Sequence, residues 1–233
     1  MFVRSLLATL LLLVPLCGAA GPAPAPAQAA SAAAAPSIPL PKPDLAGQVT
    51  LEKALGSRRS VRAYAPGPLT LAEVSQLLWA AHGITGPGGK RTTPSARAVY
   101  PLEVRIAAHD VTGLAPGIYR YLPGEHALAP VALGDPRASV TAAASGQASV
   151  EQAPLVIAVA GDSVLAAEKF RARAARWLGM EAGFVVQDVY LEATALGLGT
   201  VMVGGFEDAA ARRALALPAG WEALALMPVG RTR

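Results

Sequence analysis

The sequence predicts an α+β fold, with one central sheet and helices on both of its faces. Three observations predict it. Segments with helical spacing of apolar residues intermix with short strand-like runs, without a regular βαβ repeat. The run "APLVIAVA", residues 153–160, is apolar throughout, as a central strand covered on both faces would be. From Phe170 to Leu196 lies a long helical segment that is apolar nearly all round beyond Leu178, which implies enclosure, with a second subunit as one way to supply it.

The elements follow in order. "MFVRSLLATLLLLVPLCGAA" has one early cation, Arg4, then an apolar run from Leu6 to Leu16, then small residues. That is the plan of a signal peptide, read over residues 1–29, and the apolar run is too short to cross a bilayer. Export to the periplasm is therefore expected. Cys17, the single cysteine, opens a lipoprotein reading in which a lipid anchor is the sole membrane contact. Leu16 before it is bulkier than a lipidation site prefers. The mature domain then has no cysteine, hence no disulfide and no thiolate nucleophile. Residues 30–47 are Pro/Ala-rich and read as an extended linker, so that the folded unit spans 48–233.

"PLTLAEVSQLLWAAHG" reads as a helix. Thr70 and Glu73 form a capping box, Leu71, Val74, Leu77 and Leu78 an apolar stripe, and Gly83 the end. "PLEVRIAA" and "GIYRYLP" alternate like strands, and "TVMV" and "WEALALMPVG" read as strands around a short helix begun by Asp208. A formal net charge of +4 is too weak an excess for a nucleic-acid binder and leaves only a local anion site open.

Three stretches carry candidate chemistry. "GSRRSVRAY" gathers Arg58, Arg59 and Arg62 around Ser60, a set able to hold a phosphate through charge-assisted bonds or simply to face water. "GGKRTTPSARAVYPLEV" leads small residues and a proline into a strand, which allows backbone groups close to a flat ligand. In "ALGLGTVMVGGFED", Gly197 and Gly199 read as a helix end and turn, whereas Gly204 and Gly205 follow an apolar strand, where paired glycines mark a close backbone approach.

In this order the three stretches resemble the FMN-dependent nitroreductase superfamily, most nearly its SagB-type, azoline dehydrogenase-like branch. The resemblance runs from about Val49 to Arg231 and includes "LLWAAHGIT", "GIYRY", "MEAGFVVQDVYLEATALGLGTVMVGGF" and "MPVGR". It implies a central mixed sheet flanked by helices and an intertwined homodimer whose interface holds FMN. It further implies that Arg58, Arg59, Ser60, Arg62 and Arg231 bind the FMN phosphate. Pro94, Ser95, Ala96, Arg97 and Ala98 would border the flavin ring across the subunit interface, with the amide of Gly205, preceded by Gly204, beside flavin N5. The implied activity is hydride transfer through that atom. It runs from NAD(P)H or another donor to a nitroaromatic or quinone-like acceptor, or as dehydrogenation of a small or peptide substrate.

The sequence departs from the family pattern in places. Arg97 stands where the family has glycine, and it either stabilises an anionic reduced flavin or points into solvent. Phe184 and Asp188 replace a frequent histidine and asparagine. Export separates the chain from the cytoplasmic NAD(P)H pool, which favours another donor or a dehydrogenation role, and no catalytic acid or base can be named. Two other functions remain open. One is a flavin module without catalysis, or serving electron relay. The other is an esterase built on Gly161-Asp162-Ser163, weakened because no histidine follows His126; Asp162 and Ser163 read better as a strand end and helix cap. No metal site is expected from His82, His109 and His126, and His82 reads as a helix-end cation suited to the dipole. Glu181 and Arg173 read as an ion pair, and Tyr100 and Tyr121 as packing residues.

Overall fold

The computed structural model describes residues 36–233; the proposed signal peptide, Cys17 and the first linker residues lie outside them. The strands are β1 (Ile38–Pro39), β2 (Leu69–Thr70), β3 (Ile84–Gly86), β4 (Lys90–Arg91), β5 (Leu102–Ala108), β6 (Val111–Thr112), β7 (Gly117–Leu122), β8 (Ala127–Leu133), β9 (Leu155–Asp162), β10 (Leu198–Thr200) and β11 (Trp221–Arg231). The helices are α1 (Leu51–Ser57), α2 (Leu71–His82), α3 (Arg137–Ala143), α4 (Ala148–Glu151), α5 (Ser163–Phe170), α6 (Ala174–Ala195) and α7 (Asp208–Ala214).

Seven strands form one sheet in the order β1-β8-β7-β5-β9-β11-β10. The α+β reading holds, but the sheet is antiparallel at every junction rather than mixed. Tight connections such as the one between β7 and β8 join antiparallel neighbours only. Parallel pairing is found between β2 and β6, outside this sheet, and at the single bridge from Ser60 to Thr200 on the free margin of β10.

Strand β9 explains its own composition. Leu155, Ile157 and Val159 enter the core layer beneath α2 and α6, while Val156, Ala158 and Ala160 enter the layer with Val140, Val150 and Leu215 on the opposite face. With both faces covered, the alternation of side chains leaves no polar position.

Local signals set the helix ends. The Thr70 hydroxyl accepts from Glu73 N–H, and the Glu73 carboxylate accepts from Thr70 N–H, completing the capping box. Asp162 caps α5 by accepting from Leu165 N–H, so it is a structural cap as the sequence suggested. Gly197, at φ 69°, ends the segment after α6.

Four expectations change. The folded unit starts before residue 48, because Ile38 pairs with Leu128 and Leu40 is buried. Ser75 Oγ donates to Pro41 O at 2.6 Å, and His126 Nε2 lies 2.9 Å from the same oxygen. Ile38 and Leu40, together with these hydrogen bonds, dock a stretch otherwise rich in proline and alanine. The expected strand "TVMV" stops at Thr200; beyond it only Val203 bridges to Leu226, and the chain leaves the sheet with Met202 exposed. The long helix starts at Ala174, since Arg171 at φ 52° breaks the chain after Phe170. It is also two-faced: Leu178, Glu181, Ala182, Val185, Val189 and Tyr190 are buried, whereas Gly179, Met180, Gly183, Phe184 and Gln187 are exposed.

The segment after α1 is welded to the end of the sheet. Val61 N–H donates to Thr200 O at 2.8 Å and Ala65 N–H to Arg231 O at 2.9 Å. Tyr64 lies flat over Gly230, where an added Cβ would meet the ring carbon Cγ at 2.6 Å, and its hydroxyl donates to Pro228 O. Burial pushes the Tyr64 hydroxyl up from its ordinary pKa, so it stays a donor. We predict that Gly230→Ala lowers stability by about 1–3 kcal/mol through overpacking, read as a fall in the urea midpoint at constant slope.

Candidate functional site

Tyr190 organises the first group of candidates. Its hydroxyl accepts from Met202 N–H at 2.7 Å and lies 3.1 Å from Ser60 Oγ, to which it can give its own hydrogen. The Arg58 guanidinium sits over its ring, 5.1 Å from the centroid. One side chain on α6 thus draws the arginine-rich segment and the glycine segment to the same place. Nothing in the sequence singles out Tyr190; a tyrosine among apolar helix residues reads as core.

The cations there differ in freedom. Arg59 donates to Gly56 O and Arg58 O, so part of its fork is already used. Arg62 is exposed and makes no ion pair among the described residues. Arg231 is on β11, next in register to β10, but its guanidinium is engaged: Nη1 and Nη2 reach Glu73 at 3.1 and 3.2 Å, and Nε and Nη2 reach Pro68 O. Burial alone would raise the Glu73 carboxyl, yet hydrogen bonds from Thr70 and Arg231 outweigh it and hold the group below its usual range. The structure therefore gives Arg231 a carboxylate partner that sequence reading did not foresee.

Gly204 and Gly205 are exposed, and no protein backbone crowds them. A Cβ at Gly205 would meet nothing within 4 Å, and at Gly204 only Met202 Sδ at 3.5 Å. Gln147 Nε2 fixes Gly205 O at 2.9 Å, while neither glycine N–H has an acceptor among the described residues. The pair thus forms an open ledge with free amide donors, which suits a flat ligand lying against the backbone.

The second group, Pro94 to Ala98, is held elsewhere on the same helix. Glu181 is buried and accepts from Ala96 N–H at 2.8 Å; it does not pair with Arg173 as expected, because it faces inward while Arg173 is exposed ahead of the helix. Ser95 Oγ accepts from Tyr100 N–H at 2.8 Å, and Arg97, Ala98 and Tyr100 all have positive φ. Arg91 lies over the Tyr100 ring at 4.6 Å, which packs edge-on against His82. His82 Nδ1 lies 3.0 Å from Thr93 Oγ1. Burial, reinforced by Arg91, pushes the His82 pKa down to about 3, so it is neutral and not the helix-end cation expected.

Glu181 and Tyr190 stand two and a half turns apart on α6, about 13 Å along its axis. Within one chain the two groups form two separate clusters. Asp188, on α6, lines a groove of about 310 Å³ with Ala54 of α1, Trp79 of α2, Thr92 and Leu191, and burial raises its carboxyl to about 6. Ser163 Oγ donates to Glu222, and all three histidines are engaged elsewhere, His109 with Asp135 and His126 with Tyr121 and Ser75. The esterase arrangement therefore lacks its base.

A sequence profile of the nitroreductase family matches residues 55–231. The chain belongs to the nitroreductase family. It is a flavin-dependent oxidoreductase by that membership. The "Putative nitroreductase MJ1384" of Methanocaldococcus jannaschii is 41% identical over 189 residues, covering 81% of this chain and 94% of the relative. A crystal structure of a Ralstonia eutropha JMP134 protein, described in the same terms, superposes with a TM-score of 0.75 at 28% identity, covering 84% of this chain and 90% of that one. The NADPH:FMN oxidoreductase of Vibrio harveyi, complexed with NAD+, shares the fold at a TM-score of 0.56, with 18% identity, covering 78% of this chain and 68% of that one.

Tyr190→Phe removes the acceptor for Met202 N–H and costs about 1–3 kcal/mol, with faster amide exchange at Met202 measured by NMR. For His82 the sign is fixed: the unfolded chain takes up a proton near pH 6.5 that the folded chain refuses until about pH 3. The stability from neutral His82 is complete above pH 6.5 and is lost as pH falls toward 3. The urea stability of His82→Gln should accordingly fall less steeply than wild type between pH 6.5 and 4.

Proposed function

We propose that this chain is an exported FMN-dependent oxidoreductase that works as a homodimer. The observation that carries the reading is the convergence on Tyr190 of Arg58, Ser60 and the Met202–Gly205 segment. Arg58, Arg59, Arg62 and Ser60 would hold the FMN phosphate, and the free N–H of Gly205 would donate to the ring edge at N5. Bound FMN supplies hydride acceptance and donation at that atom. The chain contributes position and charge: guanidinium groups neutralise the phosphate, and the glycine ledge keeps side chains off the ring. Arg231 acts one step back, tying Glu73 and the start of α2 to the last strand.

The homodimer reading is supported by the exposed face of α6, where Met180 and Phe184 are 47% and 41% exposed beside Gly179 and Gly183. A second copy seated there would cover these residues and set its own 94–98 loop against the flavin, joining the two clusters. Export rests on the N-terminal sequence, and with it goes a donor other than the cytoplasmic NAD(P)H pool, or use of the flavin to dehydrogenate a substrate. The SagB-type assignment rests on the order of the motifs.

The purified protein should be yellow, with a flavin absorbance band and FMN identified by mass spectrometry after heat release. Arg58→Ala with Arg62→Ala should purify folded but colourless, each lost charge-assisted bond weakening the complex by about 1.5–3 kcal/mol. Full flavin occupancy in that variant would remove the phosphate assignment. Phe184→Glu should shift the sedimentation coefficient from dimer to monomer; an unchanged value would rule out α6 as the interface.

A further inference from the structure

A second cleft, of about 320 Å³, opens at the corner where α5 turns into α6. It is lined by Ala96, Arg97, Lys169, Phe170, Arg173 and Trp177. Its floor is aromatic: the Phe170 and Trp177 rings stand 6.1 Å apart, tilted by 42°. Its rim is cationic, and no carboxylate lines it. Between Ser163 and Arg176 the sequence has one acid, Glu168, against Lys169, Arg171, Arg173 and Arg176. Glu168 takes the Lys169 ammonium at 2.6 Å, while Arg97 and Arg173 make no ion pair among the described residues.

Arg97 reaches this rim at a cost. Its backbone is left-handed, φ 56° and ψ 20°, a conformation that disfavours any residue with a Cβ and suits glycine. Its guanidinium makes one long bond, to Lys169 O at 3.4 Å, which does not offset that. An arginine held in strain over an aromatic floor, beside a second unpaired arginine, has the donors for an anion and the surface for a ring.

We propose that this cleft binds an aromatic carboxylate, with the ring on the Phe170–Trp177 floor and the carboxylate on Arg97 and Arg173. Planar guanidinium forks match a carboxylate, and unpaired positive charge at the mouth draws the anion in. Because Ala96 and Arg97 belong to the loop placed beside the flavin, the ligand is the second substrate of the oxidoreductase. That last step rests on the function proposed above; the binding itself does not.

The test is calorimetric titration of the purified protein, both as isolated and stripped of flavin, with 4-nitrobenzoate and its neutral counterpart 4-nitrobenzamide. Wild type should bind the benzoate about tenfold tighter or better, with the preference shrinking as salt is added. Arg97→Gly with Arg173→Ala should abolish the preference and leave amide binding in place. The glycine relaxes the strained backbone, so the variant folds, which a thermal midpoint no lower than that of Arg173→Ala alone would verify. Equal affinities in wild type, or a preference that survives the double substitution, would overturn the proposal. A protein that never carries flavin yet keeps the preference would support the cleft and defeat the flavin reading alone.

Discussion

The site depends on one hydroxyl. Tyr190 leaves the helical core to meet a serine from residue 60 and an amide from residue 202, parts of the chain more than 100 positions apart. A tyrosine suits this work, because its ring anchors in the apolar layer while its oxygen both accepts and donates. The same ring receives Arg58 on its face. Remove the hydroxyl and the arginine segment and glycine ledge keep their sheet pairings, but lose the link that fixes their spacing.

Strain and openness are distributed unevenly around this anchor. The glycine ledge is relaxed and uncrowded, whereas the loop around Arg97 holds three non-glycine residues at positive φ. That loop survives because it is pinned at each end, by Glu181 on the Ala96 amide and by the His82–Tyr100–Arg91 stack. A neutral, buried imidazole serves there better than a charged one, which would lose its hydration and face the Arg91 cation.

Much of this was legible locally. The Thr70–Glu73 box, the Asp162 cap and the uninterrupted apolar run of β9 are short-range signals, and the structure reproduces each. The arginine and glycine motifs were visible because unusual residues cluster within a few positions. What stayed hidden acts across the chain. Glu73 and Arg231 are 158 positions apart, and nothing near either one announces the other. Glu181 and Tyr190 look like ordinary helix residues until the fold shows what they face. Ile38 and Leu40 were masked by the prolines and alanines around them.

The docking of β1 has a consequence for how the molecule behaves in a crowd. An uncovered outer strand offers a row of amides and carbonyls on which a foreign strand can grow, the usual start of edge-to-edge aggregation. Here β1 shields β8 at Ala127 and Leu128, and Pro130 removes the next donor from the row. At the opposite margin, Ser60 and Val61 cover β10. The polypeptide thus closes both flanks of its sheet with its own N-terminal third, and neither flank offers a long template to a misfolded neighbour.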